Sequence, residues 1–302
     1  MPEEFSRSGQ LMFQIIGIVM LFAMVFGSYV LAGGKFGVIL HALPHEMMAI
    51  GGAAIAAFLI SNSPAVIKKT LAGLGKAFAG PKWKAGDYKD LLSLLFMLTK
   101  TMKSKGVIAL ESHIENPKDS AIFQKFPKIM KDHFAIDFIC DTLRMMTMNL
   151  EDPHQVEDAM EKQLEKHHHE ALAAPHALQN MADALPALGI VAAVLGVIKT
   201  MGSITEPPEI LGGMIGGALV GTFLGVFLAY GLVGPIAARL KAIVDEEAAF
   251  YKIIQSVLIA HLHGNAAQIS VEIGRTDIPS TAQPSFAQLE ETLAAAPMDA
   301  AA

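Results

Sequence analysis

Two long, almost charge-free stretches each contain one proline: PALGIVAAVLGVIKTMG, which begins at Pro186, and VGTFLGVFLAYGLVGPIA, which ends just after Pro235. Proline removes a backbone donor and crowds the preceding turn of any helix it enters. Inside a membrane the freed carbonyl must be met by a neighbouring helix, a side chain or a water-filled cavity. Each proline therefore either marks a helix end or hinges a helix beside a wet pathway. Thr222 offers a hydroxyl in the second stretch, whereas Ala193, in the first, offers no side-chain oxygen. Proton carriers inside a membrane are carboxylates or imidazoles. No Asp, Glu or His is expected in the middle of an apolar stretch, so a titrating group would have to come from a partner. Other chemistries find little to build on. There is no zinc spacing, Gly-rich phosphate loop or nucleophile elbow, so the chain reads as a non-enzyme that needs no cofactor. His167, His168 and His169 are consecutive, point in different directions on a helix, and read as a solvated face, not as a metal site. Cys140 is the single cysteine, which rules out an internal disulfide, and it reads as a small apolar packing group.

The elements that position these residues follow from composition. The 302 residues are 52% hydrophobic and 17% charged, with mean hydropathy +0.43. A soluble domain carries roughly 25% charged residues, so the balance points to a membrane. The formal net charge of -6 argues against nucleic acid as a partner. Four apolar runs are long enough to span: residues 11–32, 43–61, 183–203 and 210–238. They form two pairs, 1–61 and 183–238, around a polar insert at 62–182. Within the insert, DYKDLLSLLFMLTKTMKSKG, FPKIMKDHFAIDFICDTLRMMT and HQVEDAMEKQLEKHHHEALAAPHALQN each place apolar residues on one helical face. The chain is thus expected to be all-α, an integral membrane protein with four transmembrane helices and a helical cytoplasmic domain. A C-terminal helical segment is expected at 239–282 and a disordered tail at 283–302.

Orientation follows from the basic residues. Most of the 23 Lys and Arg, from Lys68 to Lys166, fall in the insert, and Arg239 and Lys241 follow the fourth span directly. The positive-inside rule then puts the insert and both termini in the cytoplasm. On that topology Pro186, just inside Asp183, and Pro235, just before Arg239, sit at similar depth on neighbouring antiparallel helices, which favours the hinge reading. Gly213, Gly217, Gly221 and Gly225 form a small-residue stripe that lets helix backbones approach.

PALGIVAAVLGVI, VGTFLGVFLAYGLVGPIA, GVIALESHIENP, PSFAQLEE and VEIGR closely resemble the MotA family of flagellar motor stator subunits, within the wider MotA/TolQ/ExbB proton-channel family. The resemblance runs from the first span to about Glu291. It implies a bacterial inner-membrane protein and a homo-oligomeric ring, a pentamer, around a MotB dimer that supplies the membrane Asp. It makes Pro186, Pro235 and the hydroxyl of Thr222 functional. It also sets Lys103 and Glu111, eight residues apart and so about two turns along one helix face, against the rotor switch protein FliG. The family commonly has Arg at the first of these positions; Lys keeps the charge but not bidentate pairing, and Lys105 is an alternative bearer. Sodium-driven relatives typically carry Thr at the position of Ala193, so the ion implied is the proton. Two other readings compete: an ExbB- or TolQ-like subunit energising outer-membrane processes, whose large insert would follow one span instead of two, and a passive membrane scaffold.

Overall fold

The computed structural model describes residues 7–148 and 152–295, and among these every regular element is helical. In chain order the α-helices are α1 (Arg7–Leu31), α2 (Phe36–Glu46), α3 (Gly52–Ser61), α4 (Pro64–Ala79), α5 (Ala85–Lys105), α6 (Glu111–Glu115), α7 (Pro127–Met130), α8 (His133–Thr147), α9 (Pro153–Met201), α10 (Pro208–Phe227), α11 (Gly234–Leu262), α12 (Ala267–Thr276) and α13 (Phe286–Ala295). π-helical turns at Met47–Gly51 and Leu228–Val233 join α2 to α3 and α10 to α11. Four helical stretches are long and apolar enough to cross a membrane: Leu11–Leu31, Phe36–Ser61, and parts of Pro153–Met201 and Pro208–Leu262.

The second of these corrects the expected start at residue 43. Pro44 lies inside α2, and the helix begins at Phe36. A proline inside a membrane helix is tolerated where neighbours and local π geometry re-satisfy the backbone, and a π turn begins at Met47, soon after Pro44. The correction matters because it brings His41 into the span and moves His45 and Glu46 from its end to well inside it.

The described residues divide into two compact units, one made of residues 7–80 with Leu172–Ile243, the other of Pro81–Ala171 with residues 244–295. The division falls later than residue 62 because α4 belongs with the spans. Ser63 caps α4 by accepting from Val66 N, Pro64 sits in its first turn, and Gln14 Nε2 of α1 donates to Ala77 O at 3.0 Å. Apolar side chains gain little by leaving lipid for one another, so close contact of small residues has to hold such a unit. Its buried clusters are accordingly small: Ile50, Ala54, Leu185, Ala192, Leu224 and Ala229 in one, Ala77, Ala174 and Leu240 in the other.

The second unit has an ordinary hydrophobic core, with Phe123, Phe138, Phe250 and Leu91 to Leu98 fully or almost fully buried where they face inward. Trp83 stacks on Phe250 with ring centroids 3.8 Å apart. Burying each such side chain contributes about 1.5–3 kcal/mol. Asp132 caps α8 by accepting from Ala135 N at 2.8 Å, and also accepts from Lys82 at 2.5 Å and Tyr251 Oη at 3.0 Å. The expected disordered tail is corrected over its described part. Phe286–Ala295 is a helix, started by reciprocal Ser285–Gln288 hydrogen bonds of 3.0 and 3.2 Å, and its Leu289 and Leu293 are buried in the core. Residues 296–302 lie outside the described residues.

Candidate functional site

Neither proline marks a helix end. Pro186 lies deep inside α9, and Pro235 is the second residue of α11, which continues α10 through the Leu228–Val233 turn. In a regular helix the ring of Pro235 would collide with the carbonyl four residues back. The π turn widens the backbone at that place, which accommodates the ring and leaves a weak point in the hydrogen-bond ladder. Pro235 also borders a groove of about 410 Å³ whose walls include Gln14, Leu21, Tyr230 and Arg239.

Glycines fix the register of the third and fourth spans. A Cβ placed on Gly225 would lie 2.6 Å from Leu185 O, and one on Gly189 would lie 2.9 Å from Gly221 O. The two helices therefore touch backbone to backbone where Leu185–Gly189 faces Gly221–Gly225. Only this part of the expected stripe packs so tightly: a Cβ on Gly217 would make only ordinary contact with Ala42, and one on Gly213 would meet nothing within 4 Å. The register also overturns the matched depth expected for the prolines. Pro186 lies level with Gly225, and Pro235 is a further 10 residues along, roughly 15 Å at 1.5 Å per residue. Asp183 and Arg239 had suggested helix ends, but the helices run on past both.

At the level of the glycine contact the structure adds a residue the sequence reading missed. Glu46 Oε2 is buried without a hydrogen-bond partner. It lies over Gly221, where a Cβ would come within 2.6 Å of it and within 3.3 Å of Ala192 Cβ. The half-buried Ala193 and Thr222 are the chain neighbours of Ala192 and Gly221. The expectation of no mid-membrane carboxyl is thus corrected for the second span. The available signal was the apolar run GVILHAL ahead of Pro44. Counting it sets Glu46 about 15 Å into the helix.

In the second unit, Lys103 and Glu111 do not share one helix face. Gly106, at φ 81°, ends α5 in a conformation that L side chains rarely adopt, and Glu111 starts α6 after a 3₁₀ turn at Val107–Leu110. Both are exposed, held by the buried Leu110 and Ile114. Lys103 Nζ donates to Gly264 O at 3.4 Å. Lys105 lies on the α6 side: burial and the Lys105 charge together hold the His113 imidazole below its usual range. Beside them Arg144 pairs with Glu115 at 2.8 Å and Asp141 at 2.6 Å. The three consecutive histidines diverge as expected, though two are only half-exposed. His167 stacks on Phe134 with centroids 3.5 Å apart, and His168 Nε2 lies 3.4 Å from Asp245. Cys140 is buried and unpaired, and burial pushes its thiol up to about 12.

With this geometry in view, the chain can be set beside known proteins. Residues 15–106 match the Motility protein A N-terminal family, and residues 130–252 match the MotA/TolQ/ExbB proton channel family. Motility protein A of Salmonella typhimurium is 38% identical over 92% of this chain and 93% of its own length. The chain belongs to the Motility protein A family. Chemotaxis protein LafT of Vibrio parahaemolyticus is 35% identical over 93% of this chain and 98% of its own length. Two solved structures share the fold. That of MotAB from C. jejuni has a TM-score of 0.68 at 19% identity, covering 92% of this chain and 97% of that one. That of the flagellar MotAB stator complex from Bacillus subtilis has a TM-score of 0.62 at 22% identity, covering 85% and 92%. Like its relatives in the MotA fold, this member is all-α, with four apolar helices that make it a multi-pass membrane protein.

Proposed function

We propose that this MotA-family chain is a stator subunit of a bacterial flagellar motor. It lies in the inner membrane with both termini and the second unit in the cytoplasm. Five copies form a ring around a pair of MotB chains, whose membrane Asp carries the ion past the third and fourth spans. The ring turns ion flow into torque, delivered to FliG through exposed charges around Lys103, Lys105 and Glu111. The observation that carries this reading is one of extent: 38% identity to a motility protein spans 92% of the chain, membrane helices and extramembrane unit together. A passive scaffold would have no use for a helix interrupted near Pro235 beyond a backbone-to-backbone seam.

The ion is the proton. A Na⁺ ion must recover its lost hydration from several oxygen ligands; at this level Ala193 supplies none, and the Thr222 hydroxyl and the Glu46 carboxyl leave the set short. Each charge crossing releases about 2.3 kcal/mol per 100 mV, and the protein needs only to couple that to movement. The test is deletion of the gene, scored for swimming, flagellation and iron-siderophore uptake. Paralysed cells with intact flagella are expected; normal swimming with failed uptake would point to an ExbB- or TolQ-like role, and no defect in either to a scaffold.

A further inference from the structure

We infer that Glu46 is a second proton-carrying group of the motor, supplied by this chain and not by its partner. The inference rests on the motor reading above and adds a residue to it. Glu46 lies within the second span, well away from both ends of the 26-residue helix Phe36–Ser61. Its Oε2 is buried, with no hydrogen-bond donor to explain its presence. Carboxyl groups at such depth are rare, because the membrane makes them costly, and they mark ion or proton pathways.

The surroundings are built to admit it. Gly221 leaves room for the carboxyl where it sits against the fourth span; a Cβ there would stand 2.6 Å from Oε2 and push it aside. Ala192 of the third span closes the same gap. Few other groups could titrate in its place. His45 adjoins Glu46 on its own helix, and His41 lies about one and a half turns before it. The facing stretches carry no acid, base or imidazole between Asp183 and Lys199, nor between Glu209 and Arg239, where Tyr230 is the sole ionisable side chain. The level is that of Ala193 and Thr222, where the ion would pass. In transit an O–H bond forms on Glu46 from a proton arriving by water. It breaks when that proton leaves for an acceptor carboxylate on the partner's membrane helix, which restores the Glu46 carboxylate.

The test uses the intact complex in membranes and an apolar carbodiimide, which adds covalently to protonated carboxyl groups in apolar surroundings. A carbodiimide adduct is expected on the peptide that contains Glu46, forming more slowly as pH rises. Glu46→Gln should assemble at wild-type levels yet lower proton flux and rotation speed several-fold, and Glu46→Asp should restore part of the loss. Gly221→Ala, which displaces the carboxyl, should slow labelling. Absence of the adduct, or Glu46→Gln cells that rotate at wild-type speed across external pH, would overturn the inference. So would Glu46→Gln chains that lose ring assembly while the wild-type carboxyl stays unlabelled. If wild-type cells prove not to use this chain for motility, the motor reading fails, and labelling still reports separately on Glu46.

Discussion

Asp132 gathers three donors from distant parts of the chain: Lys82, Tyr251 and the N–H of Ala135. Burial pushes its carboxyl up, but the hydrogen bonds from Lys82 and Ala135 and the charge of Lys82 outweigh that, so it sits below the usual 3.8. A group with a lowered pKa stabilises the fold fully above its unfolded value, and the contribution fades as pH falls through the lowered one. Replacing Asp132 with Ala should therefore cost about 1–3 kcal/mol near neutrality, through lost charge-assisted bonds and a lost cap. Thermal unfolding of the full-length protein should show that gap narrowing only at pH below the usual carboxylate value. At the exposed charges the expectation is different. Lys103 and Glu111 face water, where single pairs contribute little, so each single neutralisation should only reduce swimming. Reversing both should hurt more and be rescued by reversing matching charges on FliG. Normal swimming by the double reversal, at normal protein levels, would remove these residues from the rotor contact. Their types and exposure were legible in sequence; their placement on separate helices was not, because it hangs on the positive φ of Gly106.

At the scale of the element, the interrupted fourth span is the mechanical feature. Pro235→Ala restores a backbone donor and removes the ring that the π turn has to accommodate, so the helix should be as stable as before or more so. Membrane levels should hold while rotation falls sharply; loss of the protein from the membrane would make the proline structural. Gly225→Ala should do the reverse. Its Cβ would meet the backbone oxygen of Leu185 at 2.6 Å, and such overpacking costs about 1–3 kcal/mol, to be read as reduced thermal stability of the solubilised complex. The helices themselves were legible from apolar runs and heptad-like stripes. Their true lengths were not. Pro44, Asp183 and Arg239 look like helix punctuation, yet in each case the helix continues past them. The tail was misread for the opposite reason: Ala, Pro and Ser suggested disorder, while the Ser285–Gln288 capping pair and the four-residue spacing of Leu289 and Leu293 already spelled a docked helix.

For the molecule as a whole, charge distribution and hydropathy were enough to set out four spans and a separate polar unit. What they could not give was register. The level shared by Glu46, Ala192 and Gly221, and the offset between Pro186 and Pro235, arise from contacts between helices far apart in sequence, where a glycine is informative only once its neighbour is known. The same contacts set Ala193 and Thr222 at one level, and with them the choice of ion. The most direct measurement is the rotation speed of tethered cells in which this chain and MotB are the sole stator. Proton-motive force and external sodium should be varied independently. Speed should follow the proton-motive force and ignore sodium; rotation that stops without sodium at unchanged proton-motive force would contradict a proton-driven motor.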